Sequence, residues 1–172
     1  MTVRGASASD AQACAAIYAP YVHETAITFE AVPPPAGEMG RRIAAAAETH
    51  AWLVLEDDER VVGYAYGAQL NRRAAYRWSC EVSVYVERGR RRTGAGRALY
   101  EALFERLTRR GFCVAVAGMT LPNDASVGLH RAMGFQTVGV YRRIGYKLGA
   151  WHDVEWMQRP LAVASARPPE PS

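Results

Sequence analysis

The clearest structural signal in this chain lies in residues 81–110, EVSVYVERGRRRTGAGRALYEALFERLTRR. The first six residues alternate, with valines on one face and other side chains on the opposite face, which predicts a β-strand. A basic loop containing glycines follows. Leu99, Leu103 and Leu107 then recur every four residues, which predicts an amphipathic helix. The segment is therefore predicted to form a strand, a loop and a helix in that order.

The loop of this unit, Arg88–Arg97, has the composition of a phosphate-binding turn. Gly94 and Gly96 would let a ligand approach the backbone closely. The helix that follows presents free N–H groups and its positive dipole end, and arginines add charge-assisted hydrogen bonds. Neither a Walker loop nor a three-glycine dinucleotide fingerprint is present. The loop predicts a pyrophosphate site at the start of the helix, with a solvated arginine run as the alternative.

The remaining pattern predicts a single α/β domain over residues 1–160 and a Pro-rich, disordered tail over residues 161–172. The expected elements are a strand at Thr2–Arg4, a helix that starts near Ser9 and kinks or ends at Pro20, a helix at 38–49, a hairpin of strands 52–55 and 61–66, a strand at 112–117, a short helix capped by Asn123 or Asp124, and strands at 135–142 and 154–159.

Composition excludes several classes of protein. The 172 residues carry a net charge of +4, which is too weak to indicate nucleic-acid binding. The cysteines Cys14, Cys80 and Cys113 are odd in number and widely spaced, so neither a disulfide framework nor a metal site is expected. No signal peptide or membrane-spanning run is recognisable. We therefore expect a cytoplasmic protein with no metal, no membrane partner and no nucleic-acid partner.

The spacing Arg91-x-x-Gly94-x-Gly96 resembles the acyl-coenzyme A motif of the GNAT acetyltransferase superfamily. The later part of that pattern, an Asn leading into a helix that ends in Gly-Phe, is matched by Asn123 and by Gly134-Phe135. Other segments resemble the phosphinothricin and methionine sulfoximine acetyltransferase branch, and the similarity runs from about Val3 to Gln158. These segments are Ala51–Val54, Glu81–Val86, Arg92–Gly94, Leu121–Asp124 with Ser126 and Val127, and Gly149–Val154.

This resemblance implies a GNAT-like fold with a mixed, mostly antiparallel sheet flanked by helices and a splayed strand pair at the cofactor site. It also implies acetyl-CoA as the acyl donor, a small amino-acid-like acceptor and a homodimer. The residues expected to bind the coenzyme are Val84, Tyr85, Val86, Arg91, Arg92, Thr93, Gly94, Ala95, Gly96, Arg97, Asn123 and Ser126.

The resemblance places the catalytic glutamate at Glu81. A carboxylate partly buried beside Tyr85 and Trp78 would have a raised pKa and be a better general base. The alternative is a glutamate in an ion pair with Arg73 or Arg77. His130 lies where many superfamily members carry a tyrosine proton donor, and it could donate a proton or simply pack between helix and sheet.

The acceptor site is predicted from arginines and aromatic residues near Glu81. A guanidinium binds a carboxylate or phosphinate in a two-pronged way, which favours Arg73. The acceptor side chain would lie against Phe29, Tyr76 and Trp78. For each single residue the simpler interpretation is a solvated arginine or an aromatic residue of the core. His152 and Asp153 are expected to stabilise a turn near the site.

Three other functions remain open at this stage. The acceptor could be a protein N-terminus, a polyamine or an aminoglycoside, but the arginines before Glu81 favour an anionic acceptor. A non-catalytic coenzyme A-binding module is a second possibility. A nucleic-acid binder is the third, and the arginine run lacks the interleaved aromatics such a binder would use.

Overall fold

Across the described ranges 1–90, 93–162 and 170–171 of the computed structural model, seven strands form one sheet and four α-helices cover its two faces. Two short 3-10 helices lie at Ala8–Asp10 and Ala74–Tyr76. The longer elements are β1 (Thr2–Gly5), α1 (Ala11–Glu24), α2 (Ala36–Thr49), β2 (Ala51–Asp57), β3 (Arg60–Gln69), β4 (Ser79–Val86), α3 (Ala95–Arg109), β5 (Val114–Thr120), α4 (Asp124–Ala132), β6 (Gln136–Lys147) and β7 (Ala150–Pro160).

The sheet has the order β1-β2-β3-β4-β5-β7-β6, and β4 with β5 is its parallel pair. The other neighbouring pairs are antiparallel. The parallel pairing covers Ser79–Glu81 against 114–116, and beyond it β4 continues to Val86 and β5 to Thr120 without pairing to each other. The predicted mixed sheet with a splayed strand pair is therefore confirmed, and a gap opens directly after Glu81.

Each face of the sheet has its own core. On one face, α3 buries Leu99, Leu103 and Leu107 against strand residues that include Cys80 and Val82. On the opposite face, α1 and α2 pack on an aromatic surface of β2 and β3. Alternation along β4 places Glu81 on this second face. The apolar pattern of the sequence thus fixes which side of the sheet the candidate carboxylate points to.

The first helical segment differs from the prediction at both its start and its proline. Ser7, rather than Ser9, forms the capping box, in which the Asp10 carboxylate accepts from the Ser7 backbone N–H at 2.8 Å. The helix does not end at Pro20 but continues to Glu24. A proline at this position leaves the carbonyl of Ala16 without its helical donor, and Ala16 is exposed, so water can take that role.

The predicted tail from residue 161 lies largely outside the described residues. Four of its residues, 161, 162, 170 and 171, are described, and one of them, Glu170, pairs with Arg77 at 2.6 Å. Both side chains of this pair are exposed.

Candidate active site

The start of α3 is an open, uncapped helix N-terminus at one end of the gap. Its N-cap Gly94 has a φ of 82°, no side chain among the described residues caps the first turn, and no acidic residue lies in that turn. A positive φ favours glycine, and a Cβ at this position would meet none of the described atoms within 4 Å. The turn therefore exposes backbone N–H groups and the positive end of a four-turn helix.

The second glycine of the motif packs against α4. A Cβ on Gly96 would lie 2.9 Å from Cδ2 of Leu129 on α4. Gly96 therefore allows α3 and α4 to pack closely, and its predicted contact with a ligand stays a prediction. The buried Ala95 likewise belongs to the core.

Several arginines of the loop are already paired with carboxylates. Arg90 bonds Asp57 at 2.6 Å and Glu87 at 3.2 Å, and Arg88 bonds Glu24. Arg97 is half exposed and lies 3.7 Å from Glu101, which is a weak, solvent-exposed contact. Thr93 donates its hydroxyl to the carbonyl of residue 90 at 3.0 Å, which closes the turn. Arg91 and Arg92 lie outside the described residues.

Glu81 lies at the other end of the gap, in the last paired position of β4 and β5. Burial raises the pKa of its carboxyl group, and desolvation is the cause. Within the described chain, its carboxylate has no Lys, Arg or His partner within 4 Å: Arg77 is paired with Glu170, and Arg73 is exposed. The ion-pair alternative is therefore not what the structure contains. A desolvated carboxylate without a cationic partner is suited to accept a proton.

A cluster of tyrosines, which the sequence pattern did not reveal, supports the strand that carries Glu81. The ring of Tyr85 makes edge contacts with Tyr18 and Tyr21 at centroid distances of 4.9 and 5.3 Å. Tyr21 also donates its hydroxyl to the carbonyl of Val86 at 2.6 Å. The strand backbone from Val84 to Val86 pairs with β3 on one side and borders the gap on the other. These contacts fix the position of the strand backbone at the gap.

His130 lies in the core between α4 and α3. Its Nδ1 lies 2.8 Å from the carbonyl of Ser126, and its Nε2 lies 2.9 Å from the hydroxyl of Tyr100. The ring is 3% exposed, and burial lowers its pKa, so the neutral form is favoured. A histidine with both nitrogens engaged inside the core fits the packing interpretation rather than the proton-donor one.

Asn123 caps α4, as predicted: its Oδ1 accepts from the backbone N–H of Ser126 at 3.3 Å. The Ser126 hydroxyl also lies 3.4 Å from Nδ1 of His130. Both residues stand at the end of β5, on the far side of the gap from β4. This position is compatible with a contact to a ligand in the gap.

The predicted acceptor residues come from two different parts of the fold. Arg73 and Tyr76 are exposed in the segment that leads into β4. Trp78 is covered by the Arg77 guanidinium, 3.8 Å from the ring centroid, and its carbonyl accepts from Cys113 at the start of β5. Phe29 belongs to the segment between α1 and α2, and its ring is 42% exposed.

The arm formed by β6 and β7 reaches over this segment, a feature that the sequence did not indicate. The Phe29 ring packs on Gly145, where a Cβ would lie 2.2 Å from it, and Lys147 donates to the carbonyl of Thr28 at 2.7 Å. His152 lies 2.9 Å from the carbonyl of Lys147. Asp153 accepts from the backbone N–H of Arg143 at 2.7 Å. His152 and Asp153 thus hold the backbone of the arm, in keeping with the predicted turn network.

The described ranges contain neither a metal-binding cluster nor a membrane-spanning helix. No three His, Cys, Asp or Glu side chains lie close enough together there to hold a metal ion. No helix in those ranges has the length and apolar character needed to cross a bilayer.

Comparison with known proteins relates this geometry to one family. The model of the Acetyltransferase (GNAT) domain matches residues 3–156. A phosphinothricin N-acetyltransferase from Streptomyces viridochromogenes is 36% identical over 169 residues, which cover 98% of this chain and 91% of that protein. An L-methionine sulfoximine/L-methionine sulfone acetyltransferase from Pseudomonas aeruginosa is 33% identical, covering 97% of this chain and 98% of that protein.

A solved structure gives the same result at the level of the fold. The crystal structure of a phosphinothricin acetyltransferase from Sinorhizobium meliloti, in complex with acetyl-CoA, matches with a TM-score of 0.92 and 35% identity. The match covers 99% of this chain and 92% of that chain. The uncapped helix, the splayed strands and these matches agree, and this chain belongs to the GNAT acetyltransferase family.

Proposed function

We propose that this protein transfers the acetyl group of acetyl-CoA to the amine of a small amino-acid-like acceptor of the phosphinothricin or methionine sulfoximine type. The observation that carries the proposal is the gap between β4 and β5. It runs from the open N-terminus of α3 to the desolvated, unpaired carboxylate of Glu81. The names of the relatives from Streptomyces viridochromogenes and Pseudomonas aeruginosa support the choice of acceptor.

The donor would bind with its diphosphate at the start of α3. The uncapped N–H groups after Gly94 supply hydrogen bonds that a phosphate accepts, and the dipole favours its charge. Arg97 is the described arginine best placed to add a positive charge, because Arg88 and Arg90 are already paired with carboxylates. The pantetheine arm would lie along Val84–Val86, and Asn123 and Ser126 would border it from the other side. The solved relative in complex with acetyl-CoA supports this donor.

Glu81 would act as the general base of the reaction. It takes a proton from the acceptor ammonium, directly or through a water, and frees the nitrogen lone pair. The nitrogen attacks the thioester carbonyl carbon, the C–N bond forms, and the C–S bond breaks with release of coenzyme A thiolate. Backbone N–H groups of Val84–Val86 would stabilise the oxyanion between these steps. The second amine proton then neutralises the thiolate, so no proton donor at His130 is needed.

Direct transfer is supported by the state of the cysteines. Burial raises the pKa of Cys14 and of Cys80 to about 12, so neither thiol ionises near neutral pH. A thiolate is the form that could accept an acetyl group. An acetyl-enzyme intermediate on these two residues is therefore disfavoured, which favours direct transfer.

The acceptor would enter from the face of the sheet that carries Glu81. Arg73 is exposed near the start of β4 and could bind an acceptor carboxylate in a two-pronged way. Tyr76 and Phe29 would border the acceptor from the two sides, and Trp78 would support the segment through its stack with Arg77.

We further propose a cytoplasmic homodimer. The arm of β6 and β7 exposes an unusual number of large apolar side chains, which is typical of a protein interface. They are Val138, Tyr141, Ile144, Tyr146, Leu148 and Trp151. The free thiols Cys14 and Cys80 suit a reducing compartment.

A thiol-release assay tests the activity directly. Acetyl-CoA is mixed with the protein and with phosphinothricin, methionine sulfoximine, methionine sulfone or spermidine in separate reactions. The expected result is rapid thiol release with at least one of the three amino-acid analogues and background release with the polyamine. Thiol release with spermidine but with none of the three analogues would contradict the proposed acceptor class. The absence of thiol release with all four amines would contradict catalysis.

A further inference from the structure

A cavity lies beside Glu81, between α2 and the aromatic surface of β2 and β3. Its volume is about 320 Å³, at the lower end of the range for small-molecule sites. Tyr18 and Met39 bound it on one side, Trp52 and Tyr66 form its wall, and Ala46 and Ala68 lie along its edges. None of the residues predicted for the acceptor lines it.

The wall of this cavity is a set of nearly parallel aromatic rings. Trp52 and Tyr66 stack at a centroid distance of 4.3 Å and an angle of 10°. Tyr64 continues the set at 5.2 Å from Trp52. The Trp52 and Tyr64 side chains are almost fully buried. Such a surface binds a flat or bulky apolar group through dispersion and burial of apolar area.

The cavity exists because the facing residues are small. In α2, Met39 and Ile43 fill the core, whereas Ala45 and Ala46 in the next turn leave space over the rings. Ala68 and the backbone of Gly67 border the same space from β3. An empty space lined by apolar groups forfeits dispersion contacts, so a ligand group that fills it gains them.

The charges around the cavity argue against an anionic occupant. Arg42 is the guanidinium that lines it, and it already bonds Glu30 at 2.6 Å and Glu38 at 3.2 Å. His50, at the opposite end, has a pKa lowered by burial, so it is neutral near pH 7. A carboxylate or phosphinate would find no free cation among the described lining residues. An uncharged apolar group fits the cavity better.

Glu81 stands at the rim of this cavity. It is directly opposite Ala68 in the antiparallel pairing of β3 and β4, so both side chains lie on the same face. Cβ atoms of directly opposed residues are about 5 Å apart. An amine held at Glu81 would therefore have the cavity one residue away.

We propose that this cavity is a side-chain subsite for a second class of acceptor, namely α-amino acids with an aromatic or large apolar side chain. The inference rests on the proposed function, because it assumes that the acceptor amine lies at Glu81. The aromatic side chain would lie over Trp52 and Tyr66, while short polar side chains leave the deeper part of the cavity empty.

The test fills the cavity and leaves the catalytic residues unchanged. Ala46→Leu adds bulk inside it, and Ala44→Leu adds the same bulk at an exposed position of α2 that does not line it. Thiol release is measured with L-phenylalanine and with methionine sulfone. Calorimetry of the coenzyme A-loaded protein with N-acetyl-L-phenylalanine supplies a readout that needs no turnover. Thr49→Leu, one turn further along α2 and also in the cavity lining, serves as a second filling variant if Ala46→Leu does not fold.

We expect Ala46→Leu to lower kcat/KM for phenylalanine by about tenfold or more and to abolish N-acetyl-L-phenylalanine binding. Methionine sulfone should change by less than about twofold, and Ala44→Leu should alter neither acceptor. Equal losses of kcat/KM for both acceptors in Ala46→Leu would overturn the subsite. So would a wild-type protein that acetylates methionine sulfone but neither acetylates phenylalanine nor binds N-acetyl-L-phenylalanine. Cavity-dependent binding without any acetyl transfer would support the subsite and contradict the proposed function.

Discussion

Glu81 is the residue on which the proposed chemistry depends. Burial raises the pKa of its carboxyl group, and the ionised form is the one that accepts a proton. Activity should therefore fall as the pH falls through this raised pKa, which lies above the ordinary range of glutamate. The same burial disfavours the ionised form of Glu81 in the folded state. Replacing Glu81 with a neutral residue should therefore not lower the free energy of unfolding at neutral pH.

The corresponding prediction concerns Glu81→Gln, which keeps the shape of the side chain and removes the base. We expect kcat to fall by about 10²- to 10⁴-fold, the contribution typical of a positioned base, with no change in acetyl-CoA affinity. The control is Glu105→Gln, since Glu105 is exposed on α3 and pairs only with its helical neighbour Arg109 in the described structure. Steady-state kinetics and calorimetry give both quantities, and wild-type turnover in Glu81→Gln would remove this residue from the mechanism.

The roles of some single residues could be predicted from the sequence, and those of others could not. Gly94 was expected in a turn that needs glycine, and its φ of 82° is indeed one that favours glycine. Gly96 carried the same sequence signal, but in the structure it packs against Leu129 of α4, which lies 33 positions away in the chain. The sequence did not reveal this contact between helices. The cavity beside Ala68 was invisible, since small residues in a sequence do not show whether the space around them is filled.

At the level of elements, periodicity predicted most strands and helices because their apolar faces are regular. Of the two outcomes predicted at Pro20, a kink or an end, the helix end is wrong, since a proline is tolerated inside α1 where the orphaned carbonyl faces solvent. The arm of β6 and β7 is longer than predicted, from Gln136 to Pro160. Its exposed residues carry no core pattern, and pairing across the turn at Leu148 and Gly149 extends it.

This arm carries the prediction about assembly. Tyr146 and Trp151 are directly opposite each other, with ring centroids 5.3 Å apart. The double variant Tyr146→Lys with Trp151→Glu removes exposed apolar area, and an opposite-charge pair across the strands keeps the hairpin. Light scattering should give twice the 18.9 kDa chain mass for the wild type and the single mass for this variant.

The control for this experiment is Ala44→Glu, which places a charge on exposed α2 and should remain dimeric. A wild-type protein with the mass of one chain would contradict the homodimer. A double variant that keeps the dimer mass would show that the interface lies elsewhere.

On the scale of the whole molecule, the order of elements along the chain predicted a mixed α/β sheet, and the structure confirms it. The splayed pair follows from topology: β4 and β5 are parallel neighbours joined by α3, and they pair over only three residues. The contact between the β6–β7 arm and Phe29 joins segments more than 100 residues apart. No local pattern encodes such a contact, so the acceptor side of the site could be predicted only in part.

The proposed binding of the coenzyme depends on the two ends of the gap between β4 and β5. In the proposed complex, the helix N-terminus after Gly94 would bind the diphosphate, and the thioester would lie beside the strand that carries Glu81. A crystal structure of the protein with coenzyme A tests this arrangement directly. We expect diphosphate oxygens within hydrogen-bonding distance of the first N–H groups of α3 and the sulfur atom between β4 and β5. A coenzyme bound away from that turn, or with its sulfur outside the gap, would contradict it.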